Sequence, residues 1–298
     1  MGERFGRVAI LGLGLIGGSL GLALRERGLA DENAGFDPQP DRGARARERD
    51  AITEVAPSPE EAVRGAELVV LAAPVGAIPS LLAAIAPALD PAALVTDTGS
   101  VKRRVCAAAA ELLPHPARFV GGHPMAGREQ QGIEAADPAL FAGAVWCLTP
   151  DRTTDSIALA RVESLVRSLG SAPRVLDADR HDTLVSGISH LPLVAAAALV
   201  ATVANDPAGP EALELAAGGF RDTTRVASGN PIMARDIMLA NADMITGWLD
   251  AYIGVLTRLR ASILSGNAEE IERAFAMAQA ARDAWLARRT NRGSPQSP

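Results

Sequence analysis

The sequence predicts an α/β protein whose N-terminal part is a doubly wound parallel sheet and whose C-terminal part is all helical. Two observations carry that prediction. From Arg7 to about Pro150, short apolar runs alternate with helical patterns, as they do when strands buried on both faces are joined by crossover helices. After Val175 the chain becomes rich in Ala, Leu and Met at helical spacing, with almost no β-branched clusters, which is the pattern of packed helices.

The elements follow in order. Val8-Ala9-Ile10-Leu11 reads as the first buried strand and 15–27 as a helix. Ala34-Gly35-Phe36 and 68–72 are further strands. A helix at 78–88, a strand at 93–96, a helix at 101–113 and strands at 119–120 and 145–148 complete the series. Helical patterns then cover 177–205, 211–217, 231–265 and 268–289. The alanine-rich stretch 193–204 needs close neighbours on all sides, so it is expected to lie buried against other helices. Helices this apolar would leave large exposed faces on one copy, which points to dimerisation through this region. The expected organisation is residues 1–174 as the α/β domain, 175–290 as the helical domain and 291–298 as a disordered tail.

Composition removes several classes of function. The chain has 298 residues, 48% apolar and 21% charged, with 29 Lys and Arg against 35 Asp and Glu for a formal net charge of −6. No dense basic block offers the clustered cations that phosphate neutralisation needs, so nucleic acid is not an expected partner. Two cysteines, Cys106 and Cys147, make neither a disulfide framework nor a multi-cysteine zinc site and point to a reducing cytoplasm. No uninterrupted apolar run approaches the roughly 20 residues of a membrane helix, and the N-terminus lacks a signal-peptide pattern. Histidines and cysteines are too dispersed for a metal set. A serine-hydrolase G-x-S-x-G is also missing.

The strongest local signal is Gly12-Leu13-Gly14-Leu15-Ile16-Gly17, a G-x-G-x-x-G between the first strand and the first helix. Gly12 permits the tight turn, Gly14 lets the backbone approach a pyrophosphate, and Gly17 allows close helix–strand packing. The free N–H groups at the helix start, at Leu15 and Ile16, favour phosphate. Asp37 lies 20 positions beyond Gly17, where a carboxylate accepts both ribose hydroxyls and repels a 2′-phosphate. The domain therefore reads as Rossmann-type and the cofactor as NAD rather than NADP. Arg42 and Arg45 lie nearby; they are either solvated charges of a surface helix or support for a phosphate. Ala73 and Pro74, closing the strand 68–72, line the same edge.

The chemistry is expected at the carboxyl ends of later strands. His123 stands between Gly121-Gly122 and Pro124 at a strand terminus. A neutral imidazole held there can take a proton from a substrate hydroxyl. Its acid limb is then expected near the reference value of about 6.5. Ser100 either orients His123 or the nicotinamide amide, or caps a helix beginning at Val101. His190 enters the most apolar helix beside Pro192; it is either a satisfied core histidine or a group that meets a substrate carboxylate. His115 and His181 read as surface residues. Residues 218–225 form a polar, irregular stretch in which Arg221 and Arg225, four apart, either clamp an anion or pair with Asp222 or Asp236.

Taken in order, Gly12-Leu-Gly-Leu-Ile-Gly-Gly-Ser19, Asp97-Thr-Gly-Ser-Val-Lys102, Gly122-His-Pro-Met-Ala-Gly127, Ser189-His-Leu-Pro192 and Gly218-Gly-Phe-Arg-Asp-Thr-Thr-Arg225 resemble the prephenate/arogenate (cyclohexadienyl) dehydrogenases of tyrosine biosynthesis. The resemblance spans about 7–289 and implies a Rossmann domain followed by a helical domain that makes an intertwined homodimer. It implies NAD-dependent oxidative decarboxylation, with His123 accepting the proton of the ring hydroxyl and Ser100 orienting it and the nicotinamide. Arg225 matches the arginine that holds a substrate carboxylate, while His190 and Glu129 match positions lining or gating the substrate site. Ala234 stands where some prephenate-using relatives carry tryptophan. Asp222 beside the clamp would favour the ammonium of arogenate. With no segment outside the resemblance for a regulatory domain, any inhibition by tyrosine is expected at the active site. The rival readings are a β-hydroxyacid or pyrroline-carboxylate type of dehydrogenase and a non-catalytic NAD-sensing dimer.

Overall fold

The computed structural model describes residues 4–127 and 130–293. Its first part is an eight-stranded sheet in the order β3-β2-β1-β4-β5-β6-β7-β8. In chain order the elements are β1 (Phe5–Leu11), α1 (Leu15–Glu26), β2 (Ala30–Phe36), α2 (Pro40–Glu48), β3 (Glu54–Val55), α3 (Pro59–Val63), β4 (Leu68–Leu71), α4 (Ile78–Ile85), β5 (Leu94–Asp97), α5 (Arg103–Leu112), β6 (Phe119–Pro124), β7 (Val145–Thr149), α6 (Ser156–Ser168) and β8 (Ala172–Val175). The first six strands in space are parallel. The last two depart from the all-parallel expectation: β7 runs antiparallel to β6, and β8 parallel to β7. Among the described residues the β6–β7 connection holds only a short 3-10 turn at Ile133–Ala135 and no crossover helix, so the chain returns in the opposite direction. The crossover through α6 then restores a parallel pair.

The centre of the sheet is buried on both faces because 8–11 of β1 and all of β4 are apolar at successive positions. Val8 and Ile10 of β1 join the core under α1 and α6, while Ala9 and Leu11 join the core under α3, α4 and α5. In β4 the same alternation sends Leu68 and Val70 one way and Val69 and Leu71 the other. This is the two-residue period of a strand read against two layers of helix. Each buried Val, Leu or Ile among them contributes roughly 1.5–3 kcal/mol. The edge strands β3 and β8 and the one-turn helix α3 are too brief or too polar to stand out in the sequence, and sequence reasoning missed α6, though it is 13 residues long.

The helical part comprises α7 (Ala178–Val185), α8 (Leu191–Ala204), α9 (Gly209–Glu214), α10 (Gly218–Thr224), α11 (Pro231–Ala240), α12 (Ala242–Ser265) and α13 (Ala268–Gly293). Between α7 and α8, Ser186–His190 forms one π-helical turn. Pro192 has no N–H to close the bond to residue 188, and the Leu191 N–H reaches Ser186 O instead. The stretch 218–225, expected to be irregular, is helical: α10 runs into a 3-10 turn at Arg225–Ser228. Helix α13 continues through Gly293, past Asn291 where a disordered tail was expected, since no helix breaker occurs before that glycine. Residues 294–298 lie outside the described residues.

The chain divides into two compact units, Met1–Ile245 and Thr246–Pro298. Helix α8 is not enclosed as its alanine content predicts; within one chain only its Ala196 is buried. Ala178–Ala204 is long and apolar enough by composition to cross a membrane. Its first half, however, is fastened to α5 and α11 by the hydrogen bonds of a polar centre.

Candidate active site

The cofactor edge is built from backbone. Gly12 ends β1 at φ +103° and presses on the loop after β4, where a Cβ would overlap Ala72 O. A Cβ on Gly17 would overlap Gly12 O, so the start of α1 approaches the turn as only glycine allows. Gly14, the N-cap of α1, faces open space with nothing within 4 Å of a built Cβ. That space, in front of the free N–H groups of Leu15 and Ile16, fits a pyrophosphate. Asp37 follows β2, and its carboxylate accepts from Leu13 N at 3.0 Å and Gln39 N at 2.9 Å. It is fixed at the strand end where ribose hydroxyls are read. Ala73 and Pro74 follow β4 on this same edge. The residues present therefore fit a dinucleotide.

The second part is built from side chains brought together from distant positions. His123 ends β6, and its Nδ1 lies 2.9 Å from Nε2 of His181. The rings meet edge to face, 5.1 Å apart between centroids. His181 is fully buried, not a surface residue; its Nδ1 lies 2.7 Å from Asp182 Oδ1. Asp182 is itself an acceptor on both oxygens. It takes Lys102 N at 2.7 Å and Arg103 N at 2.9 Å and so caps α5 from another helix. Ser100 does not cap that helix, which begins at Arg103, nor does it bond to His123 in this structure. The ring's orientation comes from His181.

This chain of contacts fixes the tautomers. A carboxylate only accepts, so His181 carries its hydrogen on Nδ1 and offers the Nε2 lone pair. His123 must then donate from Nδ1, which leaves its Nε2 as a lone pair. Burial first, then the neighbouring His181 and the Lys102 ammonium, hold His123 well below the usual 6.5. The value near 6.5 expected from sequence does not survive this environment, which penalises the charged ring.

A buried ion pair holds the strand behind His123. Asp97 and Lys102 are both fully buried and bonded to each other. Asp97 also accepts from Gly99 N at 2.8 Å and Gly122 N at 3.0 Å, while Lys102 donates to Gly122 O at 2.7 Å. Both polar groups of the residue preceding His123 are thus clamped. His190 lies at the π turn, buried, with Nδ1 3.4 Å from Asn241 Nδ2. That makes Nδ1 the acceptor and Nε2 a buried donor without a protein partner. Burial pushes this ring down to about 4. Asn241 also donates to Asp182 O at 3.1 Å, joining the two histidine sites.

Arg221 pairs with its neighbour Asp222 at 2.9 Å, both strongly exposed. Arg225 opens the 3-10 turn after α10, and that turn packs against α8, the helix His190 precedes. Glu129 lies outside the described residues. Sequence reasoning missed His181, Asp182 and Asn241. The first two carry only the weak signal of an adjacent His-Asp pair beside a helix start. Asp97 and Lys102 stood within a quoted motif but without a role.

A dinucleotide cradle and a neutral imidazole acceptor on one sheet edge define a nicotinamide-dependent dehydrogenase. Residues 20–174 match the family described as prephenate dehydrogenase, nucleotide-binding domain, and 177–277 match prephenate dehydrogenase, dimerization domain. The chain belongs to the prephenate dehydrogenase family. It is 35% identical to a prephenate dehydrogenase of Bacillus subtilis, over 95% of this chain and 77% of that one. It is also 35% identical to a cyclohexadienyl dehydrogenase of Zymomonas mobilis, over 93% and 95%. The crystal structure of the Aquifex aeolicus prephenate dehydrogenase, in complex with hydroxyphenyl propionate and NAD+, superposes with a TM-score of 0.88 at 31% identity, covering 94% of this chain and 98% of that one.

Proposed function

We propose that the protein catalyses the NAD-dependent oxidative decarboxylation of prephenate, arogenate or both, giving 4-hydroxyphenylpyruvate or tyrosine. The observation that carries this reading is the Asp182–His181–His123 chain, which leaves His123 Nε2 as a neutral acceptor at the cofactor edge. The nicotinamide, when bound, accepts a hydride from the ring carbon that bears the hydroxyl. His123 takes the hydroxyl proton at Nε2 as that hydride leaves. Cleavage of the bond to the ring carboxylate releases CO₂, and its electron pair completes the aromatic ring. His123 then returns the proton to the phenolate oxygen, so no net proton is released. His181 and Asp182 hold the ring in the right tautomer throughout and steady the imidazolium while it exists.

Arg225 is assigned the substrate carboxylate, His190 Nε2–H a second acceptor on the substrate, and Ser100 the nicotinamide amide. Glu129 and Arg221 are assigned supporting roles toward the substrate, and Asp222 the role of favouring an ammonium-bearing side chain. The clamp gains from favouring the substrate, which carries one carboxylate more than the product. We assign the working form as a cytoplasmic homodimer joined through the helical region. Its support is the matched dimerization domain, the exposed apolar side chains of Ile253, Leu264 and Phe275, and two free cysteines. The test is NADH formation by the purified protein with prephenate and with arogenate, against NADP in place of NAD. Turnover of either substrate with NAD is expected. Tight NADH binding without turnover of either would overturn the reading.

A further inference from the structure

Beyond Asp37 the cofactor edge opens into a pocket of about 450 Å³, lined among others by Pro38, Gln39, Arg42, Arg45, Gly132 and Glu134. It sits against the first turns of α2, on the side of the ribose 2′ position, where an arginine would accommodate the 2′-phosphate of NADP. Two arginines of α2 are at hand, three residues apart and so on one helix face. Each is matched by a carboxylate. Arg42 lies 3.5 Å from Asp37 and Arg45 lies 2.7 Å from Glu134.

Glu134 comes from far away in sequence, on the turn inside the β6–β7 connection, and its backbone is anchored on α1 and α2. Ile133 is buried against Gly18, where a Cβ would overlap its side chain. Asp137 N donates to Ser19 Oγ at 2.9 Å, and Arg49 donates to Ala136 O at 3.2 Å. The carboxylate is therefore delivered to Arg45 by a pinned segment. Within the pocket lining Asp41 and Glu134 balance Arg42 and Arg45, and Asp37 adds a further carboxylate against Arg42. A phosphate dianion meets a site whose cations are already engaged.

We propose that Glu134 is a specificity residue that withholds Arg45 from a 2′-phosphate and so, with Asp37, sets NAD above NADP. The inference rests on the cofactor assignment above. Its test is binding of NADH and NADPH to the full-length protein without substrate, followed by fluorescence titration. Glu134→Gln should tighten NADPH about two- to fivefold, the range an exposed ion pair can shift, while leaving NADH unchanged. Adding Arg45→Gln should cancel the gain, and adding Asp37→Asn to Glu134→Gln should raise it beyond about tenfold. An unchanged NADPH affinity in Glu134→Gln, or an equal change for both nucleotides, would overturn the role of Glu134. Failure of the unaltered protein to bind NADH would instead overturn the cofactor assignment.

Discussion

The two halves of the site are made in opposite ways. The cofactor edge is backbone: a few consecutive residues, Gly12 to Gly17, supply turn, close approach and helix start within one local segment. The acid–base centre is side chains, with His123 from β6 and His181 and Asp182 from α7, and with the Lys102 side chain holding the Gly122 carbonyl next to His123. A backbone cradle tolerates most side-chain changes but no Cβ at Gly12 or Gly17. A side-chain relay fails when one partner changes its hydrogen-bonding role.

Substitutions can sharpen that contrast. The largest effect is expected for His123→Asn, which should lower kcat/KM about 10²- to 10⁴-fold, the range of a general base, with NADH affinity retained in a binding titration. Asp182→Asn keeps the shape but lets residue 182 donate, which allows the wrong tautomer of His181. Steady-state kinetics should show kcat down by about 10- to 100-fold, with the acid limb of the pH profile displaced. A mere structural defect would lower activity without moving that limb. Gly12→Ala attacks the other half. A strained position at φ +103° facing Ala72 O should cost about 1–3 kcal/mol in chemical denaturation and weaken NADH, with the pH profile unmoved.

Titration gives the smaller effects. Because His123 is held well below 6.5, kcat/KM should stay level as pH falls through 6.5 and drop only well beneath it. A limb centred at 6.5 would contradict the buried relay. His190 titrates at about 4 when folded against 6.5 as the usual value, so below 6.5 the unfolded chain binds the extra proton. Its contribution to stability is present above 6.5 and is lost as pH falls toward 4, by up to about 3 kcal/mol. Thermal melts across that window should flatten in His190→Asn.

The same contrast explains what could be read from the chain alone. The parallel core, the order of helices and the glycine cradle are legible because period and punctuation are local. His123 was recognisable from its place between glycines and a proline. Its partner His181 lies 58 residues away and looks like a surface residue, since α7 begins with the polar run Ala178-Asp179-Arg180. The cap of α5 by Asp182, 80 residues from Lys102, has no local signature because Ser100 offers an equally good one. The antiparallel run of β7 depends on a connection that holds no crossover helix among the described residues, a feature visible only in three dimensions.

The buried pair of Asp97 and Lys102 carries a consequence for how the sequence can drift. Removing one partner strands the other's charge in the core, a change that typically costs 3–5 kcal/mol out of a total stability of roughly 5–15 kcal/mol. It also releases the Gly122 backbone that seats His123. Each substitution alone lands in a stability valley, so positions 97 and 102 are expected to be inherited as a single unit, exchanged together or left alone.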